Sequence, residues 1–405
     1  MIKIVRGGLL IDGTGQAPLE DAVVVIEDDN IKTVGSAENV KYPEGAIEID
    51  ASDKTIMPGF VDAHVHLALG GLGDPFWKRM TEDPESSCFY AAGNAQRALA
   101  KGVTTLQDCG GLGLVTLKLR EAIKEKLLVG PKLLVAGSAI TTTSGHLYFT
   151  GIRADNADEL RKSIRYLVEK GVDFIKIMAT GGGMTPVANR RRAQYSLAEL
   201  TAAVDDAHRL RKRVIVHVNG TEGIRNAVKA GVDVLAHCNW MGEEENTVEY
   251  DESIVKLAVG RRIYLDIAPI SGVTTPQITG PLSESELEKS SRWHMGLQMK
   301  SLGVRMYLAS DNIGKDVGRF PADLKWLVEN TEINPIEAIT MATRVPAEAM
   351  GLGNSVGTIE PGKSGDMIVV DGNPVHDAAA FEKVDMVLLN GELVAIKGRI
   401  SVLES

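Results

Sequence analysis

The chain has 405 residues, 44% hydrophobic and 24% charged, an ordinary globular mixture with room for more than one structural unit or for one barrel with additions. Its 44 Lys and Arg against 54 Asp and Glu give a net charge of -10, which argues against nucleic acid or an anionic membrane as a partner. No signal-peptide core opens the chain, no apolar run is long enough for a membrane span, and Cys88, Cys109 and Cys238 suit neither a disulfide framework nor a Cys-x-x-Cys site, so a reducing cytoplasm is the expected location.

Both ends of the chain read as β structure. Near the start, AVVVIEDDNIKTVG is two β-branched runs around Asp29-Asn30, a hairpin pattern, and AIEIDA (46–51) alternates with period two. At the far end, GDMIVVDG reads as a strand, and VDMVLLNGELVAIKG as two strands about Asn390-Gly391, a dipeptide suited to a type I′ turn. Neither end holds enough strands to stand alone. Residues 1–57 and 356–405 are therefore expected to combine into one small β-sandwich domain.

Between them, short apolar strands alternate with helical stretches. The strands are GFVDAHVH (59–66), VTTLQDCG (103–110), KLLVAGSAI (132–140), DFIKIMATGG (173–182), RVIVHVNG (213–220), VLAHCNW (234–240), IYLDIAP (263–269) and VRMYLASDN (304–312). One intervening helix starts at Asn156, a good N-cap, and stops at Gly171; another follows Ser196 with Glu199 three residues on, a capping box. This alternation predicts a (β/α)8 TIM barrel over residues 58–355, giving an α/β fold overall. A doubly wound sheet shares the alternation, but no Gly-x-Gly-x-x-Gly follows a strand and ATGGGMTP lacks the ending of a phosphate loop.

Active sites of such barrels lie at the C-terminal ends of the strands. Reading only those ends yields His64 and His66 on strand one, two residues apart and so on one face of an extended chain. Lys176 lies in strand four, His217 at the end of strand five, His237 on strand six and Asp311 on strand eight. Four histidines, a lysine and an aspartate converging on one mouth point to a metal. A lysine in a buried strand is costly to keep charged, and a neutral amine can combine with carbon dioxide to give an anionic carbamate able to bridge two divalent cations.

With these residues in view the chain resembles the amidohydrolase superfamily, in particular the branch of imidazolonepropionase-related hydrolases that includes Xaa-Pro dipeptidases and other metallo-carboxypeptidases. The resemblance rests on MPGFVDAHVHL, GVDFIKIMATGG, HVNGTEGIRNAVKAGVDVLAH, LASD and VGTIEPGKSGDMIVVDGNP, and covers nearly the whole chain. It implies His64 and His66 as ligands of one metal, Lys176 as an N6-carboxylysine bridging to a second metal on His217 and His237, and Asp311 as a ligand of the first. It also implies a substrate-contacting role for His146, in TTTSGHLYF after strand three. The sequence departs from the branch at Asn219, where a second histidine is usual, at Ala236, often Glu, and in GMTPVANRRRAQYS, usually acidic.

Two divalent ions would then lower the pKa of bound water, and a bridging hydroxide would attack a carbonyl whose oxyanion the metals hold. Asp311 would take the proton and deliver it to the departing nitrogen, as general base and then general acid. The expected reaction is hydrolysis of a C–N bond in a small amide or peptide-like compound. A carbamate, urea, lactam, lactone or deamination substrate would use the same groups. Histidine and carboxylate ligands without cysteine suit zinc, and also manganese, iron or cobalt. Tyr148, Phe149 and Trp240 could supply aromatic walls, and Arg190, with Arg191 and Arg192, could clamp a substrate carboxylate. The long segment after His66, with Phe76 and Trp77, is a candidate lid. Every expected ligand is present, which argues against a non-catalytic scaffold on this fold. A homo-oligomer is expected.

Overall fold

The structure, a computed structural model, describes residues 1–70, 83–185, 187–245, 247–268 and 284–400. Phe76 and Trp77 of the candidate lid lie outside the described residues.

Strands β1 (Ile2–Leu10), β2 (Leu19–Glu27) and β3 (Asn30–Ser36) form an antiparallel meander, and β4 (Ile47–Pro58) adds to β1 in parallel. The β2–β3 turn is Asp28-Asp29, one residue earlier than the dipeptide suggests, because Asn30 already pairs with Glu27 and Asp28 takes the left-handed conformation (φ 54°). Directly after β4 the chain enters the barrel.

The barrel strands are β5 (Phe60–His66), β6 (Val103–Asp108), β7 (Lys132–Val135), β8 (Ile140–Thr141), β9 (Ile152–Arg153), β10 (Ile175–Met178), β11 (Val214–Gly220), β12 (Val234–Met241), β13 (Tyr264–Ile267), β14 (Arg305–Leu308) and β15 (Asn312–Ile313). They pair in parallel in two arcs, one in the order β15-β5-β6-β7 and one in the order β9-β8-β10-β11-β12-β13-β14. Two seams close the ring: Asp173 N–H donates to Val135 O at 2.9 Å, and Asp311 N–H donates to His64 O at 2.8 Å. The run expected as one third strand breaks after Val135, where Gly137 turns left-handed (φ 70°), and resumes as β8. Strands such as β5, β11 and β12 are buried along their whole length, the pattern of a parallel sheet covered on both faces.

The helices wrap this ring as their caps dictate. Asn156 accepts from Asp158 N and Glu159 N, and Gly171 (φ 88°) ends the helix Ala157–Lys170. Ser196 and Glu199 form the reciprocal capping box of the helix Leu197–Arg209.

The chain returns through β16 (Met367–Val370), β17 (Val384–Leu389), β18 (Glu392–Ile396) and β19 (Arg399–Ile400). β16 pairs antiparallel with β4, Met367 against Pro58 and Val370 against Thr55, so the two chain ends build one continuous eight-stranded sheet in the order β19-β18-β17-β16-β4-β1-β2-β3. Val5, Val24, Ile56, Val369 and Leu388 from both ends share its apolar cluster. Asn390 and Gly391 both have positive φ (51° and 74°), as the type I′ turn between β17 and β18 requires. Among the described residues no helix is long and apolar enough to cross a membrane.

Candidate metal centre

A cavity of about 650 Å³ opens at the C-terminal ends of the barrel strands, and His64, His66, Lys176, His217, His237 and Asp311 all line it. Six side chains up to about 250 residues apart in the chain thus meet in one volume because each lies in a strand of one ring or, for Asp311, in the turn between β14 and β15.

His64 and His66 project from the same face of β5. Each ring is oriented through Nδ1: that of His64 lies 2.6 Å from Asp266 Oδ2, and that of His66 lies 2.7 Å from Gly110 O. A proton on each Nδ1 leaves the Nε2 lone pairs on the cavity side, and both Nε2 atoms face Asp311 Oδ1, at 3.4 and 3.5 Å. Ligand atoms of the three residues all lie within 4.8 Å of one another, a spacing a single cation can bridge.

Asp311 owes its place to a tight turn after β14. Ser310 donates through N (3.0 Å) and Oγ (2.6 Å) to the buried Asp62, while Asp311 adopts φ 51° and donates its N–H to His64 O at 2.8 Å. A left-handed aspartate is a strained conformation that costs about 1–3 kcal/mol and persists where the surroundings hold it. His237 has the same feature, with φ 72° in the middle of β12.

Opposite the His64/His66 pair, Lys176 Nζ lies 3.0 Å from His64 Nε2 and is 1% exposed. The rings of His217 and His237 are 4.6 Å apart, and His237 is 5.5 Å from His64. His217 Nε2 lies 3.0 Å from Gly181 O and 2.9 Å from the Asn219 amide, which in turn receives a 2.6 Å bond from Asn239.

The electrostatics of the site favour an anionic Asp311, a neutral His217 and positive charge at His64. Burial works against charge on Asp311, yet His64, His66 and His237 around it hold its carboxyl well below the ordinary value. Burial keeps His217 well below its ordinary value, helped by the positive charges of its neighbours, so its imidazole is neutral. Burial opposes charge on His64, but the negative groups about it, Asp266 and Asp311 among them, hold its pKa well above the ordinary value; this spot attracts a positive charge. An ionised Asp311, a neutral His217 and rings fixed by outer hydrogen bonds suit a divalent transition metal, whose charge would replace the proton that the surroundings favour on His64, and the nitrogen and oxygen donor set fits one.

His146 also lines the cavity, with its ring 4.4 Å from that of His217 and Nδ1 3.2 Å from Thr185 Oγ1. Burial pulls its pKa down to about 3. Arg190 lines the cavity too, whereas Arg191 is spent on Gly242 O at 3.2 Å and Arg192 is exposed. Tyr148 stands outside the lining: its ring packs 5.5 Å from Phe149, under the Arg153 guanidinium. Trp240 is fully buried against Tyr250 and Met299 and is a packing residue. Sequence reasoning passed over Asp266. The signal was present, an aspartate inside the apolar IYLDIAP just as Lys176 lies inside FIKIM, but it lies within the strand and not at its end.

A parallel barrel with a His64/His66/Asp311 cluster at its C-terminal mouth defines a metal-dependent hydrolase. The Amidohydrolase family matches residues 55–394, and the chain belongs to that family. It is 29% identical to ochratoxinase of Aspergillus niger over 94% of this chain and 84% of that one. It is 25% identical to imidazolonepropionase of Alkaliphilus metalliredigens over 94% and 92% of the two chains. Among solved structures it is similar to a Xaa-Pro dipeptidase with methionine bound in the active site (TM-score 0.83, 26% identity, covering 97% of this chain and 99% of that one).

Proposed function

We propose that this amidohydrolase cleaves the C–N bond of a small amide or peptide-like compound bearing a carboxylate, at two divalent metal ions, zinc being the metal that best suits the ligands. His64, His66 and Asp311 would hold one ion, His217 and His237 the other, with Lys176 as a bridging carbamate. The observation that carries the binuclear reading is Lys176 itself. It is buried, it points at His64 Nε2, and none of the ion pairs among the described residues involves it. A lysine kept there for a salt bridge would have found a carboxylate.

Bound metal activates water and polarises the substrate carbonyl. The chain's own groups do the rest. Asp311 Oδ, ionised and open to the cavity, accepts the proton of the attacking water and returns it to the departing nitrogen. His146, neutral at physiological pH, hydrogen-bonds the substrate without bringing charge. The Arg190 guanidinium, on the wall of the same cavity, pairs with a carboxylate. Leu147, Met178, Met184 and Ile313 offer an apolar wall for the remaining side chain. The similar Xaa-Pro dipeptidase supports an amide-type bond as the target. The three cysteines are free in the structure, which supports a reducing, cytoplasmic setting.

A mononuclear centre is a second reading, favoured by one observation. The His64/His66/Asp311 trio is the compact metal-ligand cluster among the described residues. Metal content by mass spectrometry, on protein purified with added bicarbonate, separates the two. About two ions per chain, falling to one or none in Lys176→Ala, supports the bridged pair; about one in both supports the single site. A screen of N-acyl amino acids, dipeptides, lactams, carbamates and lactones tests the bond. Lactone turnover with no activity on any C–N substrate would sink the amide assignment.

A further inference from the structure

Strand β13 places the wholly buried side chain of Asp266 inside the barrel. Its Oδ2 lies 2.6 Å from His64 Nδ1, and among the described residues its Oδ1 has no hydrogen-bond partner. That pattern sets it apart from the other buried aspartates on the barrel strands. Asp108 accepts from Leu67 N, Gly110 N and Thr116 Oγ1, and Asp62 accepts from Ser310 N and Oγ and His64 N. Each of those carboxylates organises backbone. Asp266 organises none, and its one hydrogen bond goes to an imidazole. A buried charge with a single partner is a poor way to stabilise a fold, because desolvation offsets the attraction. Its value lies in what it does to that partner.

We propose that Asp266 is a positioning residue for the metal centre. It keeps the proton on His64 Nδ1, aims the Nε2 lone pair at the point shared with His66 and Asp311, and raises the donor strength of that nitrogen. His66 receives the same orientation from Gly110 O, a neutral carbonyl, so His64 is the stronger of the two ligands. This rests on the reading of His64, His66 and Asp311 as metal ligands.

The test uses the full chain, stripped of metal with a chelator, with and without Asp266→Asn. Zinc affinity is measured by competition with a chromophoric chelator, alongside the visible spectrum of the cobalt-loaded protein and the melting temperature of the metal-free protein. Zinc binding by Asp266→Asn should weaken about 10–100-fold, with a shifted cobalt spectrum and a metal-free melting temperature no lower than that of the unsubstituted chain. Unchanged affinity and spectrum would overturn the assignment, and so would a lower metal-free melting temperature, which would make Asp266 a fold residue. The unsubstituted chain provides an independent check. Labelled with 15N-histidine, it should show a slowly exchanging low-field proton on His64 Nδ1, and a ring protonated only on Nε2 would overturn the proposal. Failure of the unsubstituted chain to bind zinc at all would instead defeat the metal reading, and this proposal with it.

Discussion

Asp323→Asn tests how much buried carboxyl charge the barrel carries behind Asn312, a residue of the cavity wall. Asp323 lies in the first turn of the helix Phe320–Asn330, 5% exposed, with Asn312 Nδ2 at 3.5 Å. Burial pushes its carboxyl up to about 8; Asp62 and Asp316 add to the shift, while Arg319 and the Asn312 bond oppose it. Because the folded value exceeds the ordinary 3.8, the folded chain holds this proton more tightly than the unfolded chain does. The contribution to stability is therefore fully present below the unfolded value and is lost as pH rises through the window up to about 8. Inside that window each pH unit removes about 1.4 kcal/mol, and the full window sets a ceiling of about 6 kcal/mol. Asp62, pushed up to about 7 by burial against its bonds to Ser310 and His64, titrates in the same window, so the two behave as a pair. The carboxamide has the same shape and no charge. Metal-free Asp323→Asn should therefore gain on the unsubstituted chain by roughly 1.4 kcal/mol per pH unit between about pH 5 and about pH 7, levelling above about pH 8. Calorimetric melting and urea titration in chelator across that range measure the difference. Parallel stability curves for the two proteins would refute the reasoning.

Other substitutions probe separate parts of the molecule. A Cβ at Gly182 would sit 2.3 Å from the His146 ring, so Gly182→Ala should displace that ring and lower kcat/KM by about 10-fold to 100-fold while metal content stays unchanged; unaltered kinetics would remove His146 from the substrate site. Asn156→Ala deletes the side-chain acceptor for Asp158 N and Glu159 N and should cost about 1 kcal/mol of stability in a denaturant titration, with activity retained. Hydrogen bonds from Arg165 and then Arg209, against burial, hold Asp206 below its ordinary value, so this pairing stabilises the fold above the unfolded value of 3.8 and is lost as pH falls through the lower folded value. Asp206→Asn should accordingly show a shallower loss of melting temperature on acidification; an unchanged acid slope would mean the pairing is too solvated to matter.

Much of the site was legible because it depends on local rules. The period of two places His64 and His66 on one face of β5, and the alternation of strand and helix puts Lys176, His217, His237 and Asp311 at the same mouth. Asn156, Ser196, Gly171 and Asn390-Gly391 mark their caps and turn because each effect acts over a few residues of backbone. The tertiary structure alone decided which groups pair across the ring. Asp266 and His64 are separated by 202 residues, and Asp62 and Ser310 by 248, so no sequence window contains either pair. The same holds for the loops: Arg190 faces the cavity while Tyr148 turns away to Phe149 and Arg153, a choice made by packing rather than by residue type. Periodicity and capping are short-range and can be read along the chain. The partner of each buried polar atom depends on how the closed barrel registers its strands, and that is settled only when the ring is complete.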